Sequence, residues 1–521
     1  MHPSPLELFA VTSPGLEQAT AAELRDLRAR GVRVTAGGVA FRGDLALALR
    51  ANLWLRTATR VLWRLASFPA PNFDRLSQGA SGVDWPALLG AGASSGAGSG
   101  SGPGPGPGPG LGPGPGPGLG PDFSRGAGAG LSVRVRASCG RSRLGHSGAV
   151  AERVAAAVGA ALGLGSPERL GAGRFGVGPN AGLGAKGEGE VNARGGSRAE
   201  PFAEPFAEPF AEPLAEPFAE PFEEPFAEPI EGPFEEPFAE PFAEPFAEPI
   251  EGPFEEPFEL LVRLERDECT LSLDTSGAGL HRRGYRLETG KAPLRETIAA
   301  ALLRLAAWKG DCPLVDPLSG AGTLPIEAAL MAARIPPGAG RAFALERLPS
   351  FDPELRAAAD REAAARRRPV AVPIRGSDRD EGAVSAARRN ALRAGVGEET
   401  SFEQAPLGAM ALSGSAGLVA TNPPWGNRIG QVGPLRDLYA TLGHRLAAAP
   451  GWRLVLVCPQ PRLLGALGLE LSPLGPPVLH GGLRLHLVEA SAPASAPTSG
   501  PAPASAPTSG PAPAPAPAPA R

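Results

Sequence analysis

The segment PLVDPLSGAGTLPIEAALMAARI, Pro313–Ile335, sets the fold class of this chain. Pro313 to Val315 is a short apolar run, DPLSGAGT (Asp316 to Thr323) is a glycine turn, and Ile326, Ala329, Leu330 and Ala333 then recur at helical spacing. Strand, glycine turn and helix in that order let a cofactor approach backbone N–H groups at a helix start. No third glycine stands at dinucleotide spacing and no Gly-Lys-Ser/Thr follows, so neither a nicotinamide site nor a phosphate loop is favoured.

Downstream, the apolar run Val370 to Ile374 precedes GSDRDEGAVSAARRNALRAG, Gly376 to Gly395. Asp378 stands where a second strand ends, and Gly395 closes the helix after it. An acid at that place can accept hydrogen bonds from both hydroxyls of a ribose. The alternative role, an acid favoured by the helix dipole, applies at least as well to Asp380 and Glu381.

The third unit is GLVATNPPWGNRIG, Gly417 to Gly430, in which the strand Leu418 to Ala420 runs into an amide, two prolines and an aromatic. Each proline fixes its own torsion and pushes the preceding residue out of the helical region, so the carbonyls here can point outward. The Asn422 oxygen and the Pro423 carbonyl can then accept two hydrogens from one planar NH2 group, and Trp425 offers a stacking face. Taken alone, the tetrapeptide would also serve as a proline-rich turn closing a strand. The glycine loop upstream argues for the chemical reading.

The rest of the chain reads as follows. Among 521 residues, Gly 71 and Pro 61 together approach the level of low-complexity sequence, so the folded mass is smaller than the length. Cys139, Cys269, Cys312 and Cys458 form no CxxC pair and have no clustered histidines, which predicts neither a disulfide framework nor a metal site. A reducing cytoplasm fits this usage. The start lacks a basic region followed by an apolar run, and no eighteen consecutive residues are apolar, so neither export nor a membrane span is expected. The net charge of -4 conceals a contrast: 200–259 holds 19 Glu and no Lys, Arg or Asp, which leaves +15 on the remainder. A phosphate-backbone partner requires such a basic body, although a charge excess is also an ordinary solubility device.

Residues 1–68 alternate strand and helix patterns: strands at Leu6 to Val11, Val32 to Phe41 and Arg60 to Phe68, helices at Gly15 to Arg30 and Asp44 to Ala58. Arg50, Arg56, Arg60 and Arg64 could face RNA or form a solvated face. A Gly/Ser/Pro tract at about 90–130 cannot bury a core. From Leu131 a strand is expected, with Arg134, Arg136, Arg141 and Arg143 as a basic cluster, then a short helix at Val150 to Val158. A second insert, about 165–257, repeats PFAE; a proline every fourth residue forbids a continuous helix or central strand, so it reads as a disordered tract rather than a partner-binding array. Phe258 to Leu264 and Cys269 to Asp274 form a hairpin. From 287 to 489 strands and helices alternate, which argues for an α/β domain with a largely parallel sheet, and 490–521 is an Ala/Pro tail.

In this order, DPLSGAGTLPIEAALMAA, GSDRDEGAVSAARRN and TNPPWGNRIG resemble the class I S-adenosylmethionine-dependent methyltransferases of the THUMP-containing RNA guanine-N2 type, most closely the bacterial members acting on 23S rRNA. LFAVTSPGLEQATAAEL (Leu8 to Leu24), SRLGHSGAVAERVAAAVG (Ser142 to Gly159) and LSLDTSGAGLHRRGYRLETGKAPLRETIAAALL (Leu271 to Leu303) extend the resemblance to that family's ferredoxin-like, THUMP and connecting segments. It implies a ferredoxin-like domain at 1–68, a THUMP RNA-binding domain at 69–286 interrupted by the two inserts, and a Rossmann-like methyltransferase domain at 287–489 with a mostly parallel seven-stranded sheet. It also implies S-adenosylmethionine held by Asp316, Gly320, Gly322, Thr323 and Asp378, with Pro293 and Glu296 in the segment that closes over its methionine end. Asn422, Pro423, Pro424 and Trp425 match the catalytic motif. The partner implied is RNA, either 23S rRNA or a ribosomal precursor, and the reaction needs no metal. Other amines remain as acceptors: a tRNA guanine, DNA adenine N6 or a protein glutamine; an inactive assembly factor is the non-enzymatic alternative. Where the family has an acid contacting the adenine amine, this chain has Pro406, so Glu403, Gln404 or a backbone group must substitute.

Overall fold

In the computed structural model, which describes residues 5–90, 133–162, 175–177, 257–288, 294–426 and 432–492, two mixed sheets organise the chain. The low-complexity inserts, the tail beyond residue 492 and Pro293 lie outside the described residues.

The first half comprises β1 (Leu6–Thr12), α1 (Glu17–Asp26), β2 (Arg30–Thr35), β3 (Gly38–Gly43), α2 (Leu45–Trp54), β4 (Ala58–Pro69), α3 (Phe73–Ser81), α4 (Trp85–Leu89), β5 (Val133–Gly140), α5 (Ser147–Ala161), β6 (Phe175–Val177), β7 (Phe258–Glu265) and β8 (Glu268–Asp274). Its strands form one sheet in the order β2-β3-β1-β4-β8-β7-β5-β6. The residues that flank the second insert meet as expected, since β5 pairs in parallel with β7 from Val133↔Phe258 to Gly140↔Glu265. Along β7 burial alternates strictly, with Phe258, Leu260, Val262 and Leu264 inward, so the register follows from the apolar pattern. The boundary expected at residue 68 falls inside β4, which pairs with β1 on one side and β8 on the other. One sheet therefore runs through both N-terminal segments. Helix α5 starts three residues earlier and ends three later than its apolar core, because the His146 imidazole accepts from Ala149 N–H at 3.0 Å and caps it.

The second half comprises α6 (Glu296–Leu305), β9 (Leu314–Asp316), α7 (Thr323–Ala332), α8 (Pro353–Arg366), β10 (Ile374–Asp378), α9 (Glu381–Arg393), β11 (Ser401–Gln404), β12 (Gly417–Thr421), α10 (Val432–Ala447), β13 (Trp452–Cys458), α11 (Pro461–Leu464), β14 (Ser472–Pro473), β15 (Val478–His480) and β16 (Leu483–Ser491). Seven strands follow the order β11-β10-β9-β12-β13-β16-β14, and β15 hairpins onto β16. The first five are parallel, and β16 runs antiparallel to β13. Ile298, Ile326 and Val384 from α6, α7 and α9 pack one face, while Leu435, Tyr439 and Leu442 from α10 pack the other. Central β12 is buried at every position, as a parallel strand covered on both faces must be. The apolar run Val370 to Ile374 is not itself the second strand: β10 begins at Ile374, where parallel pairing with Leu314–Asp316 starts, and ends at Asp378, which pairs with Gln404 of β11.

Arg50, Arg56, Arg60 and Arg64, for which an RNA face and a solvated face were both open, each have a partner within the chain. Arg56 is buried, and its Nη2 donates to the carbonyls of Leu330 at 3.3 Å and Ile335 at 2.6 Å. Arg50 pairs with Glu362, Arg60 with Asp274, and Arg64 stacks over Phe9 at 4.1 Å. These cations are spent on packing: a guanidinium with fixed partners satisfies carbonyls and carboxylates that would otherwise be buried unpaired.

Candidate active site

The strand order reverses direction between β9 and β12: the chain builds outward from β9 through β10 to β11, then returns to the other side for β12 and β13. Ligands in such sheets bind beyond the carboxyl ends at that point. Register fixes what stands there. Asp316 ends β9 opposite Gly376, so Asp378 lies two residues beyond it on one neighbour. On the other side Val315 pairs with Val419, so Asn422 lies two residues beyond the level of Asp316. With strands about 5 Å apart, the ribose acid and the tetrapeptide flank Asp316 at a separation of about 10 Å.

Asp316 is 2% exposed, and burial pushes its carboxyl up to about 7, opposed by the Thr421 hydroxyl and the Leu318 N–H and reinforced by the negative charge of Asp378. Leu318 N–H donates to Asp316 Oδ1 at 3.1 Å. The glycine loop is tied to the end of β10 through its backbone. Its N–H groups do not all point outward, since Ser319 donates to Ser377 O at 2.9 Å, Gly320 to Asp378 Oδ2 at 3.0 Å and Gly322 to Ser319 O at 2.8 Å. Asp378 thereby holds the loop while keeping lone pairs for a ligand. Its Oδ1 accepts from Asp380 N–H at 3.0 Å. The helix-capping role belongs to Asp380, which accepts from Gly382 and Ala383 N–H at the start of α9.

The two glycines differ in what surrounds them. A Cβ at Gly322, φ +87°, would meet Ala387 Cβ at 2.9 Å and the Phe402 ring at 3.1 Å, whereas nothing lies within 4 Å of one at Gly320, φ +52°. Gly322 is required by the fold, and Gly320 leaves open space for a ligand. Thr323 begins α7 and is buried.

At the tetrapeptide, Pro423 is buried and Pro424 exposed, while Asn422 and Trp425 are half-buried. The Trp425 indole Nε1–H donates to Asn422 Oδ1 at 3.1 Å. A residue that the sequence did not single out joins them: Gln460, two positions past the end of β13, donates from Nε2 to the Trp425 carbonyl at 2.6 Å. The only sequence signal for it is its place after the next parallel strand, in CPQPRLL.

Next to β10, β11 ends at Gln404, which pairs in register with Asp378, and its Nε2 donates to Arg379 O at 3.1 Å. Glu403 points to the opposite face by strand alternation, and Pro406 is exposed. Glu296 is apart from the strand-end cluster: its Oε1 pairs with Arg286 at 3.1 Å, burial raises its carboxyl above the usual range, and its Oε2 has no hydrogen-bond partner. It lies beside a buried network in which Glu327 accepts from Arg283 and Tyr285.

In the basic cluster Arg134 and Arg136 share Glu259, at 3.1 Å and 2.8 Å, and Arg143 pairs with Asp267 at 3.4 Å. Arg141 and Arg143 are exposed in the turn between β5 and α5. Among the described residues no helix is long and apolar enough to cross a membrane, and no three His, Cys, Asp or Glu side chains group as metal ligands.

Residues 283–469 match the family model described as RMKL-like, methyltransferase domain, and residues 7–62 match the RlmL ferredoxin-like domain. A ribosomal RNA large subunit methyltransferase K/L of Syntrophotalea carbinolica is 30% identical over 484 residues, covering 90% of this chain and 51% of that protein. The protein of the same name from Vibrio campbellii is 44% identical over 197 residues, covering 36% of this chain and 28% of its own length. The chain thus spans about half or less of these curated relatives. Among solved structures, a predicted N6-adenine-specific DNA methylase from Listeria monocytogenes is 25% identical with a TM-score of 0.63, covering 94% of this chain and 97% of that one. A possible methylase from Clostridium difficile, 22% identical, has a TM-score of 0.66 and covers 94% and 98% respectively, which supports the fold.

Proposed function

We propose that this chain, an RMKL-like methyltransferase domain behind an RlmL ferredoxin-like domain, transfers a methyl group from S-adenosylmethionine to the exocyclic N2 amine of a guanine in RNA, with 23S rRNA as the substrate. The observation that carries this reading is the position of Asn422 to Trp425, two residues past the level of Asp316 and on the opposite side from Asp378. The relatives named as large-subunit rRNA methyltransferases favour RNA over DNA or protein as the acceptor.

The residues present fit the cofactor. Asp378 keeps acceptor capacity for ribose hydroxyls, the open face at Gly320 admits the ligand, and Gly322 and Thr323 set the start of α7. Asp316 is a buried acid that a cationic ligand would ionise. Gln404, level with the ribose acid, offers its side-chain oxygen to the adenine amine in place of the acid absent at Pro406. Pro293 and Glu296 are assigned to the methionine end by the resemblance of their segment alone, and Glu296 Oε2 has no hydrogen-bond partner. When bound, S-adenosylmethionine supplies a methyl group on a sulfonium, which is electrophilic without a metal.

The chain's own residues then do the positioning. A guanine flipped out of its helix stacks on Trp425, and its N2 hydrogens are accepted by Asn422 Oδ1, which has a lone pair left beside the indole bond, and by the Pro423 carbonyl. This aims the amine lone pair at the methyl, and the amine proton leaves to solvent after transfer. Alignment of this kind supplies several kcal/mol of the barrier. Arg141 and Arg143, with Arg134 and Arg136 behind them on Glu259, grip phosphates within a THUMP-type RNA-binding segment. The four unpaired cysteines fit a cytoplasmic setting.

Asn422→Ala in the purified chain tests the assignment. Methyl transfer to 23S RNA should be abolished, with S-adenosylmethionine affinity within about twofold of the parent by calorimetry, and retained transfer would refute the role of Asn422.

A further inference from the structure

We propose that Gln460 is a positioning residue for methyl transfer, and that Trp425 orients the Asn422 amide through its indole N–H as well as stacking on the base; this rests on the methyltransferase reading above. The contacts form one directional chain. Tyr439 on α10 has its hydroxyl 3.4 Å from Cys458 Sγ, Cys458 donates to Gln460 O at 3.2 Å, and Gln460 N–H returns to Cys458 Sγ at 3.4 Å. Gln460 Nε2 then holds the Trp425 carbonyl at 2.6 Å, and Trp425 Nε1–H holds Asn422 Oδ1 at 3.1 Å. Both inner groups remain protonated, since burial pushes the Cys458 thiol and the Tyr439 hydroxyl up, so each keeps its hydrogen to donate.

The need for such a chain follows from the chemistry of an amide. Asn422 can present either its oxygen or its NH2 to the incoming amine, and only the oxygen accepts a hydrogen. A donor fixed beside that oxygen selects the productive orientation before substrate arrives and leaves the second lone pair for the amine. Trp425 can do this only while its backbone is held, because it follows two prolines that donate no N–H of their own. Gln460 supplies that hold from the end of β13, a rigid buried strand. A phenylalanine at 425 would stack equally well but could not select the orientation.

Gln460→Met, of similar length and without a donor, is therefore expected to lower kcat about tenfold on unmodified 23S transcript while KM for RNA and for S-adenosylmethionine stays within about twofold. Gln460→Lys, which can reach and donate to the same carbonyl, should recover part of the loss. Trp425→Phe should lower kcat similarly, and the double variant with Gln460→Met should be no worse than Trp425→Phe alone, because both act through one bond. The Trp425 indole N–H signal in nitrogen-correlated NMR, assigned by its absence from Trp425→Phe, should exchange slowly with solvent in the parent and rapidly in Gln460→Met. Unchanged kcat in Gln460→Met, additive losses in the double variant, or an indole signal that exchanges rapidly in the parent would each overturn the proposal. A parent that transfers no methyl to guanine N2 would overturn the methyltransferase reading instead, and the indole signal would still decide the contact.

Discussion

Asp316 gives the residue scale its clearest prediction. Its carboxyl is raised from 3.8 to about 7 by burial, so the folded chain holds a proton there that the unfolded chain releases near pH 4. The sign follows: a penalty for ionising Asp316 in the ligand-free fold appears as pH rises above about 4 and is complete above about 7. A cationic ligand beside it favours the ionised form. S-adenosylmethionine binding should therefore release a proton below pH 7 and weaken as pH falls, by up to about tenfold per pH unit, and Asp316→Asn should flatten that dependence. Calorimetry at pH 6 in buffers of different ionisation enthalpy checks it; equal heats across buffers would contradict it. The two loop glycines separate in the same way. Gly322→Ala meets Ala387 and Phe402 and should lower thermal stability by about 1–3 kcal/mol, whereas Gly320→Ala meets nothing and should cost about 1 kcal/mol but reduce cofactor affinity at least tenfold. Thermal melts paired with cofactor titrations separate the two outcomes.

At the scale of elements, the strand-turn-helix units at β9–α7, β10–α9 and β12 were legible because each combines an apolar run with residues whose backbone needs are specific: glycines at positive φ, an acid at a strand end, prolines after Asn422. What the sequence could not give was pairing. Asp378 was legible as a strand end, but its partners were not: β10 pairs with Leu314–Asp316 on one side, and Asp378 itself pairs with Gln404 on the other. The loop N–H groups of Ser319 and Gly320 are satisfied by Ser377 and Asp378, partners about sixty residues away that no local pattern names. Gln460 escaped notice for the same reason: a glutamine after a strand has no local signature, and its meaning arises when β13 lies beside β12. Register likewise places Gln404, and not Glu403, level with Asp378, which the sequence left open.

Across the whole molecule, the N-terminal sheet and the C-terminal α/β domain are joined by buried polar contacts as well as by apolar packing of Phe343, Leu345 and Leu348 on the N-terminal core. Glu23 on α1 accepts from the backbone of Arg56 and Thr57 and pairs with Arg304 of α6 at 3.4 Å, while Arg56 reaches the carbonyls at the end of α7. Burial lowers the Arg56 guanidinium to about 10, which still leaves it charged at neutral pH. Arg56→Met should strand the Leu330 and Ile335 carbonyls and destabilise the chain by about 2–4 kcal/mol, read from urea unfolding; a stability change below about 0.5 kcal/mol would show the contact to be dispensable. Composition hinted at a basic RNA partner but could not show that four of the arginines in residues 50–64 are engaged in packing.

Whether Asn422 to Trp425 present a guanine N2 amine to a methyl group is decided by mass spectrometry of 23S rRNA nucleosides from cells with and without the gene. N2-methylguanosine should be lost at one or more positions in the deletion and return on expression of the parent chain but not of Asn422→Ala. Unchanged N2-methylguanosine in the deletion would contradict this role.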